Sequence, residues 1–215
     1  MRRLYRVLLV SALALSGSLA QAAAVPGVVY SANEGNGSIS EITLSTGAVR
    51  TFKIAVVPHN VQISPEGRLL LAVGMVSDGM QGHGGHGDGG KASLLLLDST
   101  DPARLIATLP SGSSPAHVVT SLDGKFAYVS NSDANQVSVV DLAQKAVVAQ
   151  IPTGGFPHGL RLSPNGRELY VANATGNSVS VIDTQNRKET ARIPVGKAAV
   201  QVAFTPDGAQ VYVSL

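Results

Sequence analysis

The chain has 215 residues, enough for one large domain or two small ones, and it contains no cysteine. Hydrophobic residues make up 44 % of it and charged residues 14 %, which excludes a disordered chain because disorder requires low hydrophobicity and high charge. Without cysteine, disulfides, iron–sulfur clusters, zinc–thiolate sites and haem attachment through paired cysteines are also excluded.

The first segment has the pattern of a secretory signal peptide. Arg2, Arg3 and Arg6 form a basic start, and the following run Val7–Ala20 is apolar and ends at small residues suited to cleavage. We therefore expect residues 1–22 to be removed and the protein to be periplasmic or secreted. The alternative is a membrane anchor, for which 14 apolar residues are short.

Removal of this segment changes the charge of the protein. The remaining chain has 13 Lys and Arg against 14 Asp and Glu, a net charge of −1. Phosphate neutralisation needs a basic surface, so we expect no nucleic-acid partner. We also expect no membrane insertion after cleavage.

One sequence pattern then repeats to the end of the chain. A partial copy begins at Tyr30, and a stretched copy follows, whose Pro65-Glu-Gly67 turn lies 57 residues before the matching turn at Leu122-Asp-Gly124. After that the period is 42 residues, as the recurring run that begins at Tyr128, Tyr170 and Tyr212 shows. A fixed period of this length is typical of a repeat architecture.

Each repeat contains four short apolar or alternating runs separated by turn residues. In the best-preserved copy we predict strands at Gly159–Leu162, Glu168–Ala172, Ser178–Asp183 and Glu189–Ile193. Four strands in about 42 residues are typical of one β-propeller blade. We therefore predict an all-β propeller over residues 23–215, with about 4.6 repeats in 193 residues. A β-helix is the alternative, but its coils are shorter.

These motifs resemble those of the YVTN-type β-propeller repeat proteins. The resemblance rests on Tyr170-Val-Ala-Asn173, Val179-Ser-Val-Ile-Asp183 and the turn Ser163-Pro-Asn-Gly166, and it covers the chain after the signal peptide. It implies a larger ring, often of about seven blades, so we expect the chain to be a C-terminally incomplete piece. The alternative is that Val200–Thr205 completes the first blade and closes a four-bladed ring.

The stretched repeat contains an insertion rich in glycine and histidine, residues 75–92. His83 and His86 lie three residues apart, and Asp88 and Met80 are close in sequence. Imidazole suits copper and zinc, and a methionine thioether suits cuprous copper. We consider this loop a candidate metal site; the alternative is a glycine-rich loop with two solvated histidines.

A second set of histidines follows the repeat. His59 and His158 come directly after equivalent prolines, and His117 lies one position later in its own copy. These residues open the innermost strands, so we expect them near one mouth of the central channel, where they would bind a metal, an anion or the edge of a cofactor. The alternative is a turn preference of the repeat with no ligand.

Other recurring polar residues are predicted to be structural. Asp98, Asp141 and Asp183 share one repeat position, as do Asn131 and Asn173, and such residues at strand ends commonly stabilise turns. The sequence contains no P-loop and no Gly-x-Ser-x-Gly motif.

Three functions follow from these patterns. The first is a non-catalytic platform that binds a protein or a small molecule on the propeller face. The second is a metal-handling accessory protein, with copper or zinc at the inserted loop. The third is a subunit of a haem- or quinone-dependent oxidoreductase, as the resemblance implies at the level of fold, with the channel histidines at its site.

Overall fold

The computed structural model describes residues 26–76 and 92–215. Within these residues the chain forms 17 strands and one 3₁₀ helix, Glu34–Asn36, which joins β1 to β2. No helix in the described part has the length and apolar character needed to cross a bilayer.

The strands form five antiparallel sheets, taken in chain order. The first sheet contains β1 (Val28–Asn33), β2 (Ser38–Thr43) and β3 (Val49–Lys53), and the second contains β4 (Val56–Ile63), β5 (Leu69–Val76), β6 (Ala92–Asp98) and β7 (Leu105–Pro110). The third contains β8 (Pro115–Thr120), β9 (Phe126–Asn131), β10 (Gln136–Asp141) and β11 (Ala146–Pro152). The fourth contains β12 (Pro157–Leu162), β13 (Glu168–Asn173), β14 (Ser178–Asp183) and β15 (Lys188–Pro194), and the fifth contains β16 (Gln201–Phe204) and β17 (Val211–Ser214).

This architecture confirms the prediction of four-stranded blades. The second, third and fourth sheets are complete blades, and β4, β8, β12 and β16 contact one another in that order as the innermost strands. The strands of the fourth sheet match the predicted ones to within two residues at each end. All pairings in the described residues are antiparallel, which is not the pairing of a parallel β-helix.

The alternative of a closed four-bladed ring does not agree with the structure. β16 pairs with β17 in a sheet of its own, and the first sheet contains β1, β2 and β3 without it. The predicted strand at Val200–Thr205 therefore forms, as β16, but it does not complete the first blade.

The recurring turn signals have a simple backbone cause. Gly67, Gly124, Gly166 and Gly208 have φ angles of 73°, 69°, 71° and 71°, a left-handed conformation that favours glycine. The amide of each donates a hydrogen bond to the carbonyl three residues earlier. The glycine therefore recurs with the repeat because the turn between the first two strands of a blade requires it.

The hydrophobic core lies between neighbouring sheets. Between the third and fourth sheets, Val119 and Tyr128 pack with Leu160, Leu169 and Ile182. Equivalent clusters fill the other three sheet pairs in the described part of the chain. Each sheet is thus stabilised mainly by burial against its neighbours, as is usual in repeat proteins.

Replacement of Leu160 by alanine tests this packing. Leu160 is fully buried in β12, so we expect Leu160→Ala to lower the free energy of unfolding by about 2–5 kcal/mol. Leu122→Ala is the control, since Leu122 is 56 % exposed. Equilibrium urea denaturation of both variants measures the difference, and equal losses would contradict a core between these sheets.

Candidate ligand site at the inner strands

Three of the inner strands carry a β-bulge directly after their first prolines. The register shifts after Pro58 in β4, after Pro115 in β8 and after Pro157 in β12, so each strand has one extra residue at this point. Bulges of this kind redirect side chains and are frequent near functional sites. A histidine lies in each of them.

The bulges bring the three histidines to one point. His59, His117 and His158, here called the histidine cluster, have ring centroids 4.8–5.6 Å apart. One nitrogen of each ring lies within 4.8 Å of the others, and Nε2 of His59 is 3.1 Å from Nε2 of His158. In β8 the histidine is the second residue of the bulge, whereas in β12 it is the first. His117 therefore reaches the same point as His158 although it lies one position later in its own repeat.

The outer nitrogens of two rings have acceptors as partners. Nδ1 of His158 donates to the Val200 carbonyl at 3.1 Å, and Nδ1 of His59 lies 3.3 Å from the Glu34 carboxylate. A carbonyl and a carboxylate accept hydrogen bonds, so these partners place the ring protons on Nδ1. The Nε2 lone pairs of His59 and His158 then face each other.

His117 is the most enclosed of the three. Burial, together with the neighbouring His158 and His59, lowers the pKa of His117 to about 3. Nδ1 of His117 is buried and has no hydrogen-bond partner in the described part of the chain. Burial also lowers the pKa of His158, and His59 adds to that effect. Neutral imidazoles at pH 7 are the form that binds metal ions.

A serine fixes two of the bulges relative to each other. The buried hydroxyl of Ser130 accepts a hydrogen bond from the His117 amide at 3.0 Å and donates one to the His158 carbonyl. Ser130 lies in the recurring Tyr-Val-Ser-Asn run, where sequence reasoning assigned it no role. Glu34 was also missed, because the 3₁₀ helix that carries it belongs to the preceding sheet.

The predicted metal site of the inserted loop falls outside the described residues. The four predicted ligands lie among residues 77–91, which the structure does not describe: His83, His86, Asp88 and Met80. Metal binding by the inserted loop therefore stays a prediction. The strand before the insertion ends at Val76, which pairs with the first residue of β4. That strand end is therefore at the same end of the sheet as His59.

The recurring acids have the structural role predicted for them. Carboxylates of Asp98, Asp141 and Asp183 accept hydrogen bonds from backbone amides two or three residues further on. The side chains of Asn131 and Asn173 instead donate to serine hydroxyls of the adjacent strand. These residues stabilise blades and are not part of the histidine cluster.

Comparison with protein families identifies the fold family. A family model described as "Lactonase, 7-bladed beta-propeller" matches residues 90–204, slightly more than half of the chain. The chain belongs to this family. The match supports a β-propeller family, but it does not single out the YVTN-type repeat proteins.

Solved structures show the same fold. Hydrazine synthase from Kuenenia stuttgartiensis is 26 % identical with a TM-score of 0.62, over 73 % of this chain and 41 % of that one. A functionally unknown protein from Desulfotomaculum acetoxidans is 18 % identical with a TM-score of 0.69, over 87 % of this chain and 58 % of that one. The chain therefore spans about half the length of these two matched chains. Comparison with curated protein sequences gives no match.

Proposed function

We propose that this member of the propeller family is an exported binding platform that holds a divalent transition-metal ion, zinc or copper, at the histidine cluster. The observation that supports this proposal is the pair of Nε2 atoms of His59 and His158, which are 3.1 Å apart while Nδ1 of each ring faces a hydrogen-bond acceptor, an arrangement that favours ring protons on Nδ1. Two lone pairs this close repel each other, and a cation between them removes the repulsion.

The distances are close to those of a metal site. Imidazole nitrogens bind zinc at about 2.0–2.1 Å, which separates two tetrahedral ligands by about 3.3–3.4 Å. The separation between His59 and His158 is 3.1 Å, and the largest in the cluster is 4.8 Å. The His59–His158 pair therefore has nearly the separation of two ligands of one ion, and the widest pair has to come closer for all three to bind it.

The partners of the outer nitrogens also fit a metal site. Metal-binding histidines usually donate their second ring N–H to a carboxylate or a backbone carbonyl, which fixes the ring orientation. Glu34 and the Val200 carbonyl have these positions relative to His59 and His158. A simple turn preference of the repeat does not require either contact.

Calorimetric titration of the metal-free protein with zinc and with cupric ions tests the proposal. We expect one ion to bind per chain, and we expect binding to persist in the double variant His83→Ala/His86→Ala, which removes the two histidines outside the cluster. Absence of binding would contradict the proposal. Loss of all binding in the double variant would place the metal at the inserted loop instead.

Glu34→Gln measures the contribution of the carboxylate. The charge of Glu34 makes the His59 imidazole a stronger metal ligand, so we expect zinc affinity to fall by about 10-fold. Glu66→Gln is a suitable control because the same change of charge occurs at a residue outside the cluster. Competition with a chromophoric chelator gives both affinities, and an equal effect of the two variants would contradict a specific role for Glu34.

A second candidate is the propeller subunit of an oxidoreductase. The observation that favours it is the similarity to hydrazine synthase at 26 % identity. Absorbance spectra of the protein purified from its native host test this function. A haem or quinone absorbance band would support it, and its absence from protein that binds one metal ion would favour the metal-binding platform.

A further inference from the structure

We infer that a metal ion in the histidine cluster keeps an open coordination position and takes a small anion there, of the carboxylate or azide type. This inference rests on the proposed function and states which ligand the site recognises. Three features carry it: the number of side-chain ligands, the charge of the site and its access to solvent.

The described residues supply three side-chain ligands to an ion at the histidine cluster. The histidine cluster is the one group of three or more His, Asp, Glu or Cys side chains in the described ranges that is close enough to hold an ion. In the next repeat, Val200 stands at the position of His158, 42 residues later and just before the inner strand β16. The carbonyl of Val200 already accepts the His158 ring proton. Zinc with three histidine ligands is completed by water or an exogenous ligand.

The charge of the site favours an anion as that ligand. Three neutral imidazoles leave the two positive charges of the ion uncompensated. The Glu34 carboxylate is hydrogen-bonded to Nδ1 of His59, the nitrogen that points away from the His158 contact. Arg161 lies three residues after His158 on β12, and its guanidinium donates to the Leu160 carbonyl at 3.2 Å, which holds the positive charge beside this inner strand. The guanidinium therefore adds to the positive potential at the cluster.

The cluster is accessible from one side. His117 is mostly buried, whereas one third of the His59 side chain is exposed to solvent. The side of His59 is therefore the solvent-exposed side of the cluster, and it is the side from which we expect an anion to approach the ion. This arrangement differs from that of a structural metal site, in which four protein ligands enclose the ion.

The cobalt-substituted protein provides the test, because the visible spectrum of Co²⁺ reports its coordination. We expect one Co²⁺ to bind, and we expect azide or acetate to change the spectrum with saturation at one anion per metal. In Arg161→Gln the azide affinity is expected to fall about threefold and the cobalt affinity to rise, because the lost positive charge attracts the anion and repels the cation. Arg192→Gln is the matched control, since Arg192 is paired with Glu189 on the outer strand β15.

The outcomes distinguish this inference from the proposed function. Cobalt that binds at one ion per chain, with a spectrum unchanged by azide and acetate, would overturn the inference and leave the metal-binding function intact. Failure of cobalt and zinc to bind would overturn both. An equal loss of azide affinity in Arg161→Gln and Arg192→Gln would show that net charge, and not Arg161, attracts the anion.

Discussion

His158→Ala is expected to weaken zinc binding by roughly 100-fold or more. Apparent free energies of zinc binding are about 10–16 kcal/mol for four-ligand sites, so each ligand contributes about 3 kcal/mol. His158 is the central residue of the cluster, since its Nε2 faces His59 and its ring lies 4.8 Å from that of His117. Competition titrations with a chelator of known zinc affinity measure the loss.

The control for this experiment is the His83→Ala/His86→Ala variant, which removes histidines without changing the cluster. The thermal unfolding temperature of metal-free His158→Ala shows separately whether the fold is intact. Zinc affinity that is reduced equally in the double variant and in His158→Ala would indicate that the ion binds elsewhere or is shared between two sites.

Gly74→Ala is expected to lower the free energy of unfolding by about 3 kcal/mol. A Cβ atom at Gly74 would lie 1.9 Å from the carbonyl oxygen of Val57 and 2.7 Å from its carbonyl carbon, both of which are backbone atoms. The overlap cannot be relieved by a side-chain rotation, so β4 and β5 must separate. Urea denaturation measures the change.

Gly35→Ala is the control because an added Cβ there meets nothing within 4 Å. We expect its effect to stay within about 1 kcal/mol. Gly74 pairs with Pro58, the residue before His59, so Gly74→Ala is also expected to weaken zinc binding. Similar stabilities of the two alanine variants would show that β4 and β5 are not held as closely as the structure indicates.

The fold could be predicted from the sequence because the repeat is regular. Turn glycines such as Gly124 and Gly166 recur at the same spacing as the tyrosines within the second strands, so strand number and strand order follow from the period. The insertion stretches one copy without removing its strands, since β5 and β6 still pair. The loop predicted at residues 75–92 is shorter than expected, because Met75 and Val76 belong to β5 and Ala92 belongs to β6.

The site could be predicted only in part. Its three histidines were found because they follow equivalent prolines, but the sequence did not show that a bulge lets His117 meet the other two. Glu34 and the Val200 carbonyl could not be found, because their contacts cross from one sheet to another. Such contacts depend on the angle between blades, about which a pattern within one blade contains no information.

The contact between His59 and His158 also affects how the protein unfolds. Each sheet packs on its sequence neighbours, so in the protein without metal the loss of one sheet raises the energy of the adjacent ones and leaves distant ones little changed. His59 belongs to the second sheet and His158 to the fourth, and an ion held by both would link repeats that are not neighbours. Metal binding would then make the unfolding of these three blades more cooperative, with a midpoint that rises with metal concentration.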